Sequence, residues 1–206
     1  MGFGWLMVGY FFTFVISLYS PLSFAMLAGY PMMIVGLGYL APYHPQLKRT
    51  FFISFLSIPF ALYYSFYAFS QLGIGASMPI FTGMMWQIAE WAYFIFSVLF
   101  MLMLLRAIAA LCGELELVRW QINAMRNLLV IGIMYLFDLV ARLQLPFMWG
   151  LNGYLVLLSL LLRILLIFMN LYLIYGCYRH ICPEGEEVFL PESTVKRSDG
   201  KEGEHK

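Results

Sequence analysis

Four ionisable residues stand where charge is rarely tolerated. Glu90, Asp138, Arg142 and Arg163 each lie inside an apolar stretch of membrane-spanning length. A charge at the centre of a membrane helix costs at least about 2.5 kcal/mol on insertion scales, so such side chains turn inward and find partners. Asp138 and Arg142 are one helical turn apart and can pair within a single helix. Two carboxylates and two guanidiniums make a formally neutral set, and two chemistries follow from it. One is structural, a buried ion-pair network that fixes helix register. The other is a small-solute site or polar pathway, in which Glu90 or Asp138 takes up a proton or cation and Arg163 holds an anionic group.

Further polar residues share faces with these charges. Asn152, Ser159, Arg163, Asn170 and Cys177 recur at intervals of 7, 4, 7 and 7 residues. At about 100° per residue they fall within about 40° of one line on a helix. Gln87, Glu90 and Ser97 give the preceding apolar stretch its own polar face, as do Asn127, Asp138 and Arg142 for the one between.

Other chemistry has little to stand on. No Walker A loop, HExxH, GxSxG or dinucleotide fingerprint occurs. Cys177, His180 and Cys182 are spaced too tightly for the usual zinc ligands and lack a second ligand pair. His44 reads as a solvated loop residue between prolines. The expected spans hold no histidine. No enzyme, metal or cofactor is expected.

The elements that position the charges are membrane helices. Of the 206 residues, 63% are hydrophobic and 11% charged, against about 25% charged in soluble domains. No Asp, Glu, Lys or Arg precedes Lys48, and 11 of the 23 formal charges lie beyond Pro183. Spans need about 20 apolar residues, which places them at about 3–19, 21–42, 51–71, 79–112, 127–146 and 151–178. Ser20-Pro21 turns the chain between the first two, and Met1 onward is read as mature span. By this count Glu90, Asp138 and Arg163 all lie near the bilayer midplane.

Small residues line the early spans: Gly9, Thr13 and Ser17 on the first, Ala25, Gly29 and Gly36 on the second. A third face carries Ser54, Ser57, Ala61, Ser65 and Ala68. Such stripes let helices approach closely in lipid. Residues 41–50 are expected to form a short basic loop, and Gly113 to end the fourth span. Glu114–Arg126 is amphipathic, with Leu115, Val118, Ile122, Met125 and Leu129 on one stripe. It is either an interfacial helix or an extension of the fifth span. Its Glu114, Glu116, Arg119 and Arg126 are candidates for docking a partner.

The expected fold is therefore an all-α integral membrane protein, a bundle of six transmembrane helices with a short amphipathic cytoplasmic segment between helices 4 and 5. Residues 1–183 form that domain and 184–206 a polar, disordered tail. Lys48, Arg49, Arg119, Arg126, Arg179 and the tail lysines fall on one side, so both termini are expected to be cytoplasmic, at the plasma membrane. The three cysteines then lie at the reducing side, unpaired. A net charge of +1 offers no basic field for nucleic acid. Spans 4–6 are expected to pack their polar faces together with spans 1–3 as a partner layer. Function is read as small-solute or ion permeation through that polar core. The alternative is a non-catalytic scaffold or sensor subunit, homo-oligomeric or part of a membrane complex.

Overall fold

A computed structural model describes residues 2–16, 20–72, 83–143 and 152–181. Every regular element among them is helical. The expected tail, the expected start of the fourth span at Pro79 and the end of the fifth at Pro146 lie outside the described residues.

Helix α1 (Gly2–Tyr10) continues into a wider π-helical turn over Phe11–Val15. A tight 3₁₀ turn, Ser20–Ala25, leads into α2 (Met26–Leu40). The two helices run antiparallel in close contact, because glycine backbone faces backbone. A Cβ on Gly36 would sit 2.6 Å from the Leu6 nitrogen, and one on Gly29 would strike Thr13. Gly9, Thr13, Gly29 and Gly36 from the two small-residue stripes meet here.

The basic loop is shorter than expected. His44 is extended, as residues before proline are. Its Nδ1 accepts from the Gln46 backbone N–H at 3.1 Å, and Pro45 occupies the first helical position. Helix α3 (Pro45–Ser54) therefore starts six residues early and carries Lys48 and Arg49 in its opening turns. His44 is buried instead of solvated, with Nε2 3.3 Å from Glu114 Oε1. After a break at Phe55–Leu56 the chain resumes as α4 (Ser57–Gln71). Pro59 causes that break, since its ring crowds the Phe55 carbonyl, which accepts from Ile58 N–H at 3.2 Å. Ser54, Ser57, Ala61, Ser65 and Ala68 are all buried, with the three hydroxyls bonded to carbonyls of their own segment.

Helix α5 (Met84–Glu114) follows Gly83, whose φ of 68° turns the chain into it. Its far end is a Schellman motif. Leu117 N–H reaches the Cys112 carbonyl at 2.9 Å and Glu116 N–H reaches Gly113 at 3.3 Å. The left-handed position is Glu116 (φ 57°), not Gly113. Only two residues later α6 (Val118–Leu143) begins and runs unbroken. Val118 to Arg126 is thus the first part of α6: of the two expected arrangements it is the extension of the fifth span, and not a separate segment between helices. α7 spans Asn152–Ile181.

Among the described residues five helical stretches are long and apolar enough to cross a membrane: 22–40, 45–71, 84–114, 118–143 and 153–181. Gly2–Val15 is apolar but shorter. Packing follows chain order around a ring. α1 lies on α2, α2 on α3 and α4, α3 on α5, α5 on α6 and α6 on α7, and α7 closes back on α1. This order keeps the first three expected spans in contact with one another and the last three likewise, with α3·α5 and α1·α7 joining the two groups. At one end α5 fills the middle, with Leu104, Leu105, Ala107, Ile108, Leu111 and Cys112 all buried. Toward the other end the middle is hollow.

Candidate functional site

That hollow is a cavity of about 220 Å³ walled by α1, α2, α5, α6 and α7. Asp138, Arg142 and Arg163 stand in its wall together with Ser97, Asn170, Thr13 and three tyrosines, Tyr10, Tyr93 and Tyr135. Phe14, Phe94, Met101, Met134 and Leu166 are among its apolar lining.

The charged end is built on one oxygen. Arg163 Nη2 donates to Asp138 Oδ2 at 3.3 Å, from α7 to α6. Arg142 Nε lies 3.5 Å from the same Oδ2, one turn along α6. Its guanidinium rests over the Phe94 ring, 5.0 Å from the centroid. The Asp138 side chain is 14% exposed, against 31% and 43% for those of Arg142 and Arg163. The acid is therefore the inner member and the guanidiniums flank it outward. Beside them Ser97 and Tyr135 hydroxyls meet at 2.7 Å, and Tyr93 meets Tyr30 at 3.2 Å.

The other end is an amide relay. Asn127 Nδ2 donates to Asn170 Oδ1 at 3.0 Å, and Asn170 Nδ2 donates to the Tyr10 hydroxyl at 3.0 Å. α6, α7 and α1 are joined by this chain of buried polar groups. Arg163 and Asn170 are seven residues apart on α7, so the two ends of the cavity are about 10 Å apart along it.

Not all expected members are brought together. Glu90 makes no ion pair within 4 Å among the described residues and is not in the cavity wall. It lies in the field of the Tyr63 and Tyr64 hydroxyls of α4. It stands in the second turn of α5, which starts at Met84 and not at the expected Pro79. The formally neutral quartet is replaced by a trio carrying one excess positive charge. Gln87 is exposed near the start of α5. Ser159 is buried, but its hydroxyl donates to the Val156 carbonyl of its own helix. Asn152 is the first residue of α7.

The docking candidates lie apart from the cavity. Glu114 pairs with His44, Arg119 stands 5.8 Å from the Trp120 centroid, and Glu116 and Arg126 are exposed. Among the described residues no three metal-ligating side chains converge. The Cys112 and Cys177 thiols do meet, with Sγ atoms 3.7 Å apart and fully buried.

Tyr10, Tyr93 and Tyr135 are not singled out by the sequence, which holds 14 tyrosines. Their signal is position: each sits well inside an apolar stretch, where a hydroxyl must find a partner. No protein-family model, curated protein or solved structure matches the chain.

Proposed function

We propose that this is a six-span membrane protein, both termini cytoplasmic, whose central cavity takes up and passes a small solute. The observation that carries this reading is the cavity itself. Empty apolar space would stay dry, whereas this wall holds three charges, the Ser97–Tyr135 hydroxyl pair, the Tyr93 hydroxyl and the Asn170–Tyr10 hydrogen bond. Side chains that cost this much in hydrocarbon belong where a polar guest or water is held. Their helices converge in a ring, and a space between packed helices is where bundles place their sites.

Six crossings require α1 to be a span. Its 14 residues with the π turn reach about 21 Å, and it closes the ring against both α2 and α7. Protease-accessible tags at the two ends should lie on the same face of oriented vesicles. Tags on opposite faces would mean that α1 does not cross.

Flux tests the reading directly. The full chain reconstituted into vesicles should carry a small solute across, and Asp138→Asn or Arg163→Gln should change that flux while leaving folded yield intact. If each single variant fails to accumulate and compensating charges restore it, the trio is only a helix clamp.

A further inference from the structure

We infer that the cavity selects a small anion, held between the guanidiniums of Arg163 and Arg142. This rests on the reading of the cavity as a solute site and names the class of solute.

Charge is the first ground. Among the described residues of the wall, Asp138 is the one carboxylate and faces two arginines. Glu90, which would have balanced the set, lies outside the wall. The site therefore holds a net positive charge in a medium where fields are weakly screened. A cation would enter against that field, whereas an anion completes it.

Geometry is the second ground. An arginine fully engaged with a carboxylate makes two parallel bonds of about 2.7–2.9 Å. Here both arginines address one oxygen, at 3.3 and 3.5 Å. Arg142 Nε is buried and makes no hydrogen bond among the described residues. Guanidinium N–H groups on both sides of Asp138 are left to bind something else, and arginine forks suit carboxylate and phosphate oxygens. Size is the third ground. A volume of about 220 Å³ is the liquid share of about seven waters. It suits an inorganic ion with part of its hydration shell, or a short carboxylic acid anion.

Asp138 on this reading is an internal counter-ion that competes with the guest. Its removal then has a sign opposite to that expected for a proton or cation site. The experiment uses the purified full chain in detergent, with unfolding followed by tryptophan fluorescence. Sodium chloride, acetate and phosphate are titrated against sodium gluconate at constant ionic strength, and potassium replaces sodium in a parallel series.

At least one anion should raise the midpoint saturably, independent of the cation. Asp138→Asn should lower its half-saturating concentration about tenfold, and Arg163→Gln should raise it at least as much. Arg163→Lys should fall between, which covers the case in which the glutamine variant does not fold. No saturable effect of any of the three anions, a shift that follows the cation, or weaker anion binding in Asp138→Asn overturns the proposal. The measurement needs no gradient. Anion binding without flux in vesicles would refute permeation and leave the anion site, and cation-selective flux without anion binding would do the reverse.

Discussion

The Asn170 amide donates to the Tyr10 hydroxyl at 3.0 Å across 160 positions of sequence. It joins the first helix to the last and closes the ring around the cavity. Both side chains are 1% exposed, and Asn170 also accepts from Asn127. Tyr10→Phe leaves a buried amide N–H unpaired and should cost about 1 kcal/mol. Asn170→Leu orphans both of its partners and should cost about 2 kcal/mol. In the double variant the losses should sum to less than these two values, because one bond is counted twice. Unfolding in mixed micelles with increasing SDS measures all three. Strict additivity would mean that the two groups do not act on each other.

Asp138 serves two arginines at once, and charge exchange should behave accordingly. Swapping only one pair, with Asp138→Arg and Arg163→Asp, sets a new guanidinium one turn from Arg142. Like charges at that spacing repel. Folded yield should recover only in part over the single variants, and adding Arg142→Leu should recover more. Fluorescence-detected size exclusion of each variant reads this. Full rescue by the simple swap would show that Arg142 is not part of the cluster.

Much of the helical framework was legible because hydrocarbon length and small-residue spacing are strong signals. Gly9, Thr13, Gly29 and Gly36 pack as their periodicity implied, and so does the serine–alanine face that runs from Ser54 at the end of α3 along α4. What failed was the grouping of Glu90, which pairs with neither arginine and lies outside the cavity wall. Seven residues of α7 also place Asn170 opposite Tyr10, but nothing in α1 alone marks Tyr10 as anything except an aromatic. Its partner is supplied by ring closure, which is a long-range fact. His44 was misread for a similar reason, since the residue its ring meets, Glu114, is 70 positions away.

Gly113 drew attention as a helix end because glycine is the usual left-handed residue. The chain instead puts Glu116 there, at φ 57°. A side chain in that conformation costs roughly 1–2 kcal/mol. The side chain of Glu116 is exposed and makes no ion pair among the described residues. Glu116→Gly should therefore stabilise the chain by about 1 kcal/mol, less the entropy glycine adds to the unfolded state. Gly113→Ala should not help, since a Cβ there meets the Gln121 side chain at 3.0 Å. Paired unfolding curves in SDS test both, and destabilisation by Glu116→Gly would contradict the Schellman geometry.

The buried Cys112 and Cys177 thiols offer a direct test of how the bundle converges. α5 and α7 are not neighbours in the ring order. Their ends nonetheless bring the two Sγ atoms to 3.7 Å, beside Gly176, where the Trp120 ring lies so close that no Cβ could fit. Side-chain rotation could close the pair to the 2.05 Å of a disulfide. Copper phenanthroline should then draw two electrons and two protons from the thiols and form the bond within one chain. Intact mass falls by two hydrogens, with Cys182→Ser as background and Cys112→Ser as the control that abolishes the change. Before oxidation both thiols should resist a maleimide until the protein is unfolded. Rapid labelling in the folded state would mean that this end of the bundle is open. That would contradict the burial of Leu104, Ile108, Leu111 and Cys112, with which α5 seals this end.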